Sequence, residues 1–179
     1  MPITPCEQIT SGLNGTSCTS NPGGVSEFYL INYDDLTTVT FTGGTVSSIL
    51  TAGVTASFFE YSFRRNTASV AEDLTKDLNT GSAFYSQTAT IVLDKIEKTK
   101  RDELMLLDQA VIAYIAKHTN GSYWLYGSTD GAYVTTNVSS TGTAKTDQNG
   151  YTITILSEEA ERGFPVDPVL GAAIAAAAQ

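Results

Sequence analysis

The chain has 179 residues, of which 41% are hydrophobic and only 16% charged, and its formal net charge is −9. This length suits one domain with a sizeable core, the apolar content argues against a disordered chain, and the acidity argues against a nucleic-acid grip, which needs a basic surface. Two explanations of the acidity stay open. It keeps the protein soluble, or it forms a surface that repels phosphate, such as a channel through which DNA slides.

Residues 1–26 are rich in turn-forming residues and predict an irregular N-terminal arm. The arm contains both cysteines, Cys6 and Cys18. A local disulfide and two free thiols are both open, but two cysteines without a nearby histidine make a poor zinc site. The arm lacks the basic and apolar parts of a signal peptide, and no apolar run is long enough to span a membrane. We expect synthesis in a cytoplasm and no membrane insertion by this chain.

Three β-prone runs follow the arm, at residues 27–31, 37–41 and 45–50. Gly43-Gly44 lies between the last two and predicts a hairpin turn. From Phe59 to Arg64, aromatic and polar residues alternate with a period of two, which indicates a strand with one aromatic face.

Residues 64–90 predict a long excursion, either a β-hairpin or an extended loop, because a turn at 79–81 lies between strand-like runs. By propensity alone, residues 70–79 would also suit a helix. The adjacent arginines could hold a carboxylate of a neighbouring subunit through paired hydrogen bonds, although a solvated strand end explains them equally well. The candidates for contact between subunits are Arg64, Arg65, Glu72, Asp73, Lys76 and Asp77.

Residues 99–118 carry the strongest helical pattern, with Asn120-Gly121 as the stop signal. One apolar face repeats at helical spacing and is expected to pack on a sheet; it comprises Leu104, Leu107, Val111, Tyr114 and Ile115. Asp in place of Leu107 or Val111 is therefore expected to unfold the protein. His118, the one histidine, is expected at the surface in the last turn, where the helix dipole favours a cation.

Strand patterns return at 122–135 and 151–159, and a tail rich in Gly, Pro and Ala predicts a C-terminal arm at 162–179. The strands and the single helix show no βαβ alternation. The sequence therefore predicts an α+β fold of mostly antiparallel strands, a twisted β-sandwich or barrel-like sheet with one main flanking helix. The domain is expected to cover residues 27–161.

The sequence contains no catalytic constellation. One histidine makes a metal-histidine site nearly impossible and leaves a serine triad one candidate base. Carboxylates at 34–35, 72–73 and 158–161 are typical of solvated faces, although glycosidases also use a carboxylate pair. No glycine motif that cradles phosphate is present. We expect no enzymatic activity, no cofactor and no metal.

Three stretches carry a resemblance to a known family: AFYSQTATIVLDKIEKTKRDELMLLDQ, NGSYWLYGSTDGAYVT and TGTAKTDQNGYTITI. With them, the chain resembles the tail tube (major tail) proteins of tailed phages, particularly those that infect Bacteroidetes, most strongly over residues 84–161. The resemblance implies hexameric rings that stack into a tube, with strands joined between subunits and a negatively charged conduit through which phage DNA passes without specific binding.

The resemblance also implies the partners and the location of the protein. Its partners would be copies of the same chain and other tail or neck proteins, and it would be part of the virion tail after assembly in the bacterial cytoplasm. The excursion would contact the next ring, so that deletion of residues 68–80 is expected to leave the subunit folded but unable to stack.

Other functions stay open at this point. The chain could be another phage virion component, such as an auxiliary capsid, connector or neck protein, or the inner tube of a contractile injection system. A carbohydrate-binding or adhesin module is a further alternative, because aromatic residues at 58–63 and 123–126 could form a sugar platform.

Overall fold

A computed structural model of the chain describes Leu13 and residues 22–51, 57–77 and 79–179. Cys6, Cys18 and most of the predicted N-terminal arm lie outside the described residues. The strands are β1 (Val25–Asn32), β2 (Leu36–Thr42), β3 (Thr45–Thr51), β4 (Phe59–Tyr61), β5 (Ala68–Lys76), β6 (Ala83–Asp94), β7 (Ile112–His118), β8 (Tyr123–Tyr126), β9 (Ala132–Ser140), β10 (Gly150–Glu159) and β11 (Phe164–Val166). The helices are α1 (Lys98–Leu107) and α2 (Pro168–Ala177).

The eleven strands of the described residues belong to one sheet with the order β2-β3-β11-β8-β7-β9-β10-β6-β5, and β1 and β4 continue from β7 on a branch. The pairs are antiparallel except that of β11 with β3. Gly43 and Gly44 form the predicted two-residue turn between β2 and β3, both with positive φ, as the common tight hairpin turn requires. The sheet does not close on itself, and the predicted α+β class with mostly antiparallel strands is confirmed.

Strands β1 and β7 divide the hydrophobic core because both of their faces are buried. Phe28 and Tyr114 face a cluster shared with β5, β6, β9, β10 and α1. Tyr29 and Ile115 face a second cluster shared with β3, β11 and α2. These four side chains are at most 2% exposed. A strand covered on both sides needs apolar residues at consecutive positions, which is the pattern of residues 112–116.

The helix predicted over residues 99–118 is wrong in its second half, because α1 ends at Leu107 and residues 112–118 form β7. Apolar residues at helical spacing misled the prediction. Beyond Leu107 they belong to a continuous run rich in β-branched and aromatic residues, which suits a doubly buried strand. Val111, assigned from the sequence to the buried face, lies in the connector and is 51% exposed.

The excursion at residues 64–90 is a β-hairpin that belongs to the sheet, so the helical alternative for 70–79 is wrong. Strand β5 pairs with β6 from Ala68–Ile91 to Lys76–Ala83, and β6 pairs with β10 as far as Tyr85. Only the tip, residues 75–84, therefore projects beyond β10.

Residues 162–179, which the sequence suggested as an arm, form β11 and α2. Asp167 caps α2, because its Oδ1 accepts a hydrogen bond from the Val169 N–H at 2.8 Å. The helix lies close to Tyr123, since a Cβ atom on Gly171 would come within 2.5 Å of that ring. The backbone N–H of Gln179 then donates a hydrogen bond to the carbonyl oxygen of Phe58, and the carbonyl oxygen of Gln179 accepts one from the N–H of Glu60 in β4. This segment is thus packed on the domain.

Candidate assembly surfaces

The two outermost strands of the main sheet order, β2 and β5, each have one neighbour among the described strands. An outer strand presents unpaired N–H and C=O groups to which another strand can bond, and charged side chains are the common protection against this. Strand β2 has no charged side chain, and its Phe41 is 44% exposed. Strand β5, in contrast, contains Glu72, Asp73 and Lys76. The edge of β2 is therefore the less protected of the two.

Three of the six predicted interface residues have side-chain partners within the chain, and for Arg64 and Glu72 the partner is distant in sequence. The Arg64 Nη2 and Nε atoms lie 2.7 and 2.8 Å from Asp94 Oδ2. Glu72 Oε1 accepts a hydrogen bond of 2.6 Å from the N–H of Gly163, and the Glu72 side chain is only 17% exposed. Glu72 therefore joins the hairpin to the connector between β10 and β11. Contact of either residue with another subunit stays a prediction.

The other four predicted interface residues are exposed around the hairpin. Arg65 lies in the turn before β5, and Asp73 and Lys76 lie on β5. Asp77 follows β5, and its Oδ1 accepts a hydrogen bond of 2.8 Å from the Asn79 N–H, which holds the pKa of Asp77 below its ordinary value. The structure thus brings three of these residues to the projecting half of the hairpin and leaves Arg65 at the other end.

Sequence reasoning missed a buried carboxylate. Glu159 belongs to a cluster predicted as a solvated face, yet it is 2% exposed. Its Oε1 accepts hydrogen bonds from the N–H groups of Thr129 and Asp130 at 2.9 and 3.3 Å and from the Ser157 hydroxyl at 3.4 Å. The alternation that starts at Tyr151 places every second residue of β10 inward, and this signal could have identified Glu159.

Replacement of Glu159 by Ala is expected to lower the free energy of unfolding by about 1–3 kcal/mol, because the backbone N–H groups in the turn at 129–130 lose their acceptor. Glu158 is exposed, so Glu158→Ala, the matched control, should change stability by less than about 0.5 kcal/mol. Urea unfolding followed by circular dichroism measures both. Equal shifts in the two variants would contradict this role for Glu159.

A second buried polar group, the hydroxyl of Tyr114, lies on the interior side of the hairpin. The Tyr114 hydroxyl is buried and has no hydrogen-bond partner among the described residues. Burial raises the pKa of Tyr114 well above its ordinary value, and the neighbouring Tyr126, Glu72 and Glu159 raise it further. A phenol in this environment keeps its proton at neutral pH, so the Tyr114 hydroxyl offers no acid–base chemistry at that pH.

His118 does not cap a helix, because it ends strand β7, and the prediction of a surface residue aided by a helix dipole is wrong. Its ring stacks on Trp124 with centroids 6.2 Å apart and planes at 12°. Burial lowers the pKa of His118, and the negative charge of Glu72 opposes this shift. The residue is therefore a packing partner of Trp124 and is mostly neutral at pH 7.

Other types of site find little support in the described part of the chain. No group of three or more His, Cys, Asp or Glu side chains lies in an arrangement that could hold a metal ion, and no described helix is both long and apolar enough to cross a membrane. A groove of about 330 Å³ between β4 and α1 is lined by Tyr61, Lys100 and Glu103. Phe58, Tyr123 and Tyr126, which would contribute to a sugar platform, are each at most 8% exposed.

Comparison with family models, with curated proteins and with solved structures finds no match to this chain. The surfaces that bear on function are therefore those of the protein itself, above all the two outer strands and the projecting hairpin tip.

Proposed function

We propose that the protein is a virion structural subunit, a tail tube protein that assembles into stacked rings and forms a conduit for genome delivery. The resemblance over residues 84–161 implies six copies in each ring. The observation that supports the proposal most is the pair of sheet edges that have no further partner among the described strands, of which β2 is uncharged along its whole length. Other tail or neck proteins would cap the stack in the virion tail.

The two edges favour a ring because they differ from each other. A contact between two different surfaces of the same chain is heterologous, and it produces a closed ring when the rotation between neighbours closes. In the proposed ring, β2 of one copy lies beside β5 of the next copy, and backbone hydrogen bonds join their sheets. Closure removes the free edges, which explains how a strand-rich protein with few charges stays soluble.

The outward face of β5, β6 and β10 supports the proposed passage of DNA without binding. Because side chains alternate along a strand, the residues between the buried ones point away from the core. They include no Lys or Arg between the two ends of the strands, so a phosphate backbone that passes this part of the face meets no positive charge to hold it. At the end of β6, Arg64 is paired with Asp94. The members of the face are Ser69, Ala71, Asp73, Thr75, Ser86, Thr88, Thr90, Val92, Thr152, Thr154, Leu156 and Glu158.

The expected result for the purified protein is concentration-dependent assembly into rings and tubes, seen by sedimentation velocity and negative-stain electron microscopy. The double variant Thr38→Lys/Thr40→Lys should fold normally but lose ring formation, since lysines on an outer strand oppose strand addition. Thr45→Lys/Ser47→Lys adds the same charge to the neighbouring strand β3 and should still form rings. A wild-type protein that stays monomeric at high concentration would refute the proposed function.

A further inference from the structure

The positive charges of the chain gather at one end of the sheet. Strand β6 ends at Asp94 beside the first residue of β10, Gly150, and the chain then enters α1. The turn before β5 lies at the same end, because Ala68 pairs with Ile91. Six of the ten Lys and Arg residues, which we call the basic rim, are Arg64, Arg65, Lys95, Lys98, Lys100 and Arg101.

The negative charges gather at the opposite end. There Tyr85 pairs with Glu159, and Ala132 pairs with Ser157 and Ile112. Nine of the nineteen Asp and Glu residues, which we call the acidic rim, are Asp34, Asp35, Glu72, Asp73, Asp77, Asp130, Glu158, Glu159 and Glu161.

Counter-charges at each end do not cancel the excess. The acidic rim contains two cations, Lys76 and Arg162. Four carboxylates lie among the residues of the basic rim or just after them in the sequence: Asp94, Glu97, Asp102 and Glu103. In the loop 141–149 at the same end, Lys145 and Asp147 offset each other. The net charge of −9 thus arises mainly at the acidic rim, while the other end has an excess of positive charge.

The two rims are too far apart to neutralise each other within one copy. Strand β6 advances nine residues from Tyr85, beside Glu159, to Asp94, beside Gly150, which at about 3.3 Å per residue separates the two ends by roughly 30 Å. Charges in physiological salt are screened over about 8 Å. Opposite rims therefore attract each other only when a second copy brings them into contact.

Both rims are accessible to such a copy, apart from Glu159, which is buried, and Glu72, whose side chain is only 17% exposed. The Lys98, Lys95 and Arg64 side chains are 88%, 74% and 68% exposed. Their ion pairs with carboxylates of the same chain are at the surface, where such pairs contribute little stability, so the cations can exchange partners. At the opposite end the hairpin tip projects beyond β10, and Leu74 beside it is 52% exposed.

We propose that copies of the protein dock head to tail, with the acidic rim of one copy on the basic rim of the next. The inference rests on the proposed function for the identity of the partner, a second copy. In this arrangement the two opposite ends of the sheet meet, the residues of the two rims attract each other, and stacking is electrostatic. Two different surfaces in contact produce an open stack instead of a closed dimer, and the attraction weakens as salt screens it.

A charge-swap experiment tests the docking. One variant reverses the basic rim with Arg65→Glu/Lys98→Glu. A second reverses the acidic rim, which has more charges, with the four changes Asp73→Lys, Asp130→Lys, Glu158→Lys and Glu161→Lys. All six side chains are exposed. Each variant alone presents like charges across the contact and should lose every species larger than a ring. A 1:1 mixture places opposite charges at both kinds of contact, so stacking should return in sedimentation velocity and electron microscopy, and high salt should dissolve wild-type stacks.

The outcomes separate this inference from the proposed function. If the wild type forms tubes and each variant alone forms tubes of the same length, or if the mixture of non-stacking variants stays unassembled, the docking of the rims is refuted and the proposed function stands. If the two variants associate with each other but neither the mixture nor the wild type forms rings or tubes, the proposed function fails and the docking stands. If every sample stays monomeric, both are refuted.

Discussion

Replacement of Leu107 by Asp is expected to abolish the folded state, whereas replacement of Val111 by Asp should leave the fold intact. Leu107 is 6% exposed and packs in the cluster on the β6 and β10 side of β7. An Asp at this position buries an unpaired charge or takes up a proton, at a cost of several kcal/mol, and it also loses about 1.5–3 kcal/mol of apolar burial. Since whole domains are stable by about 5–15 kcal/mol, the loss is comparable with the total.

Val111 provides a matched control because it receives the same new side chain four residues later. It is 51% exposed, so its carboxylate can remain in water, and the expected loss of stability is within about 1 kcal/mol. Circular dichroism and thermal unfolding of both variants, with Leu107→Met as a conservative reference, measure the difference. Unfolding of Val111→Asp, or a normally folded Leu107→Asp, would contradict the assignment of the end of α1.

This pair of residues also shows which parts of the fold the sequence can predict. The alternation of β10 and the Gly43-Gly44 turn are local patterns with a single interpretation. The strand β10 and the hairpin turn were therefore both predicted. The apolar spacing of residues 104–115 fits a helix face as well as a short helix followed by a buried strand. The choice between these two structures depends on strands β1 and β8, which pair with β7 on either edge. A local pattern contains no information about those strands.

The candidate surfaces show the same limit. The charged residues of the hairpin were identified from the sequence, but the partner of Arg64 is Asp94, thirty residues away, and the partner of Glu72 is Gly163. The two rims are visible only once the strand registers are known, since Arg65 and Lys98 are distant in sequence. The amino-acid sequence shows which residues are charged, and long-range strand pairing decides which of them lie together.

Deletion of residues 68–80, which the sequence suggested would be tolerated, is now expected to unfold the protein. These residues include the whole of β5, which pairs with β6 over its full length. Ala68 is buried, Val70 packs against the same core cluster, and Glu72 holds the Gly163 N–H. Without β5, the inner face of β6 and the Tyr114 ring would be exposed to water. The free energy of unfolding should fall by several kcal/mol, through lost burial and lost hydrogen bonds.

A smaller change separates folding from stacking. Replacement of residues 77–82 by Asn-Gly joins Lys76 to Ala83, which already pair, through the dipeptide preferred in two-residue hairpin turns. The fold should be retained, because 77 and 79–82 are exposed among the described residues. Stacking should weaken, since Asp77 leaves the acidic rim and the projecting tip is shorter. Thermal unfolding and sedimentation velocity of both variants test this: a folded 68–80 deletion, or an Asn-Gly variant that forms tubes of wild-type length, would refute the role assigned to the hairpin.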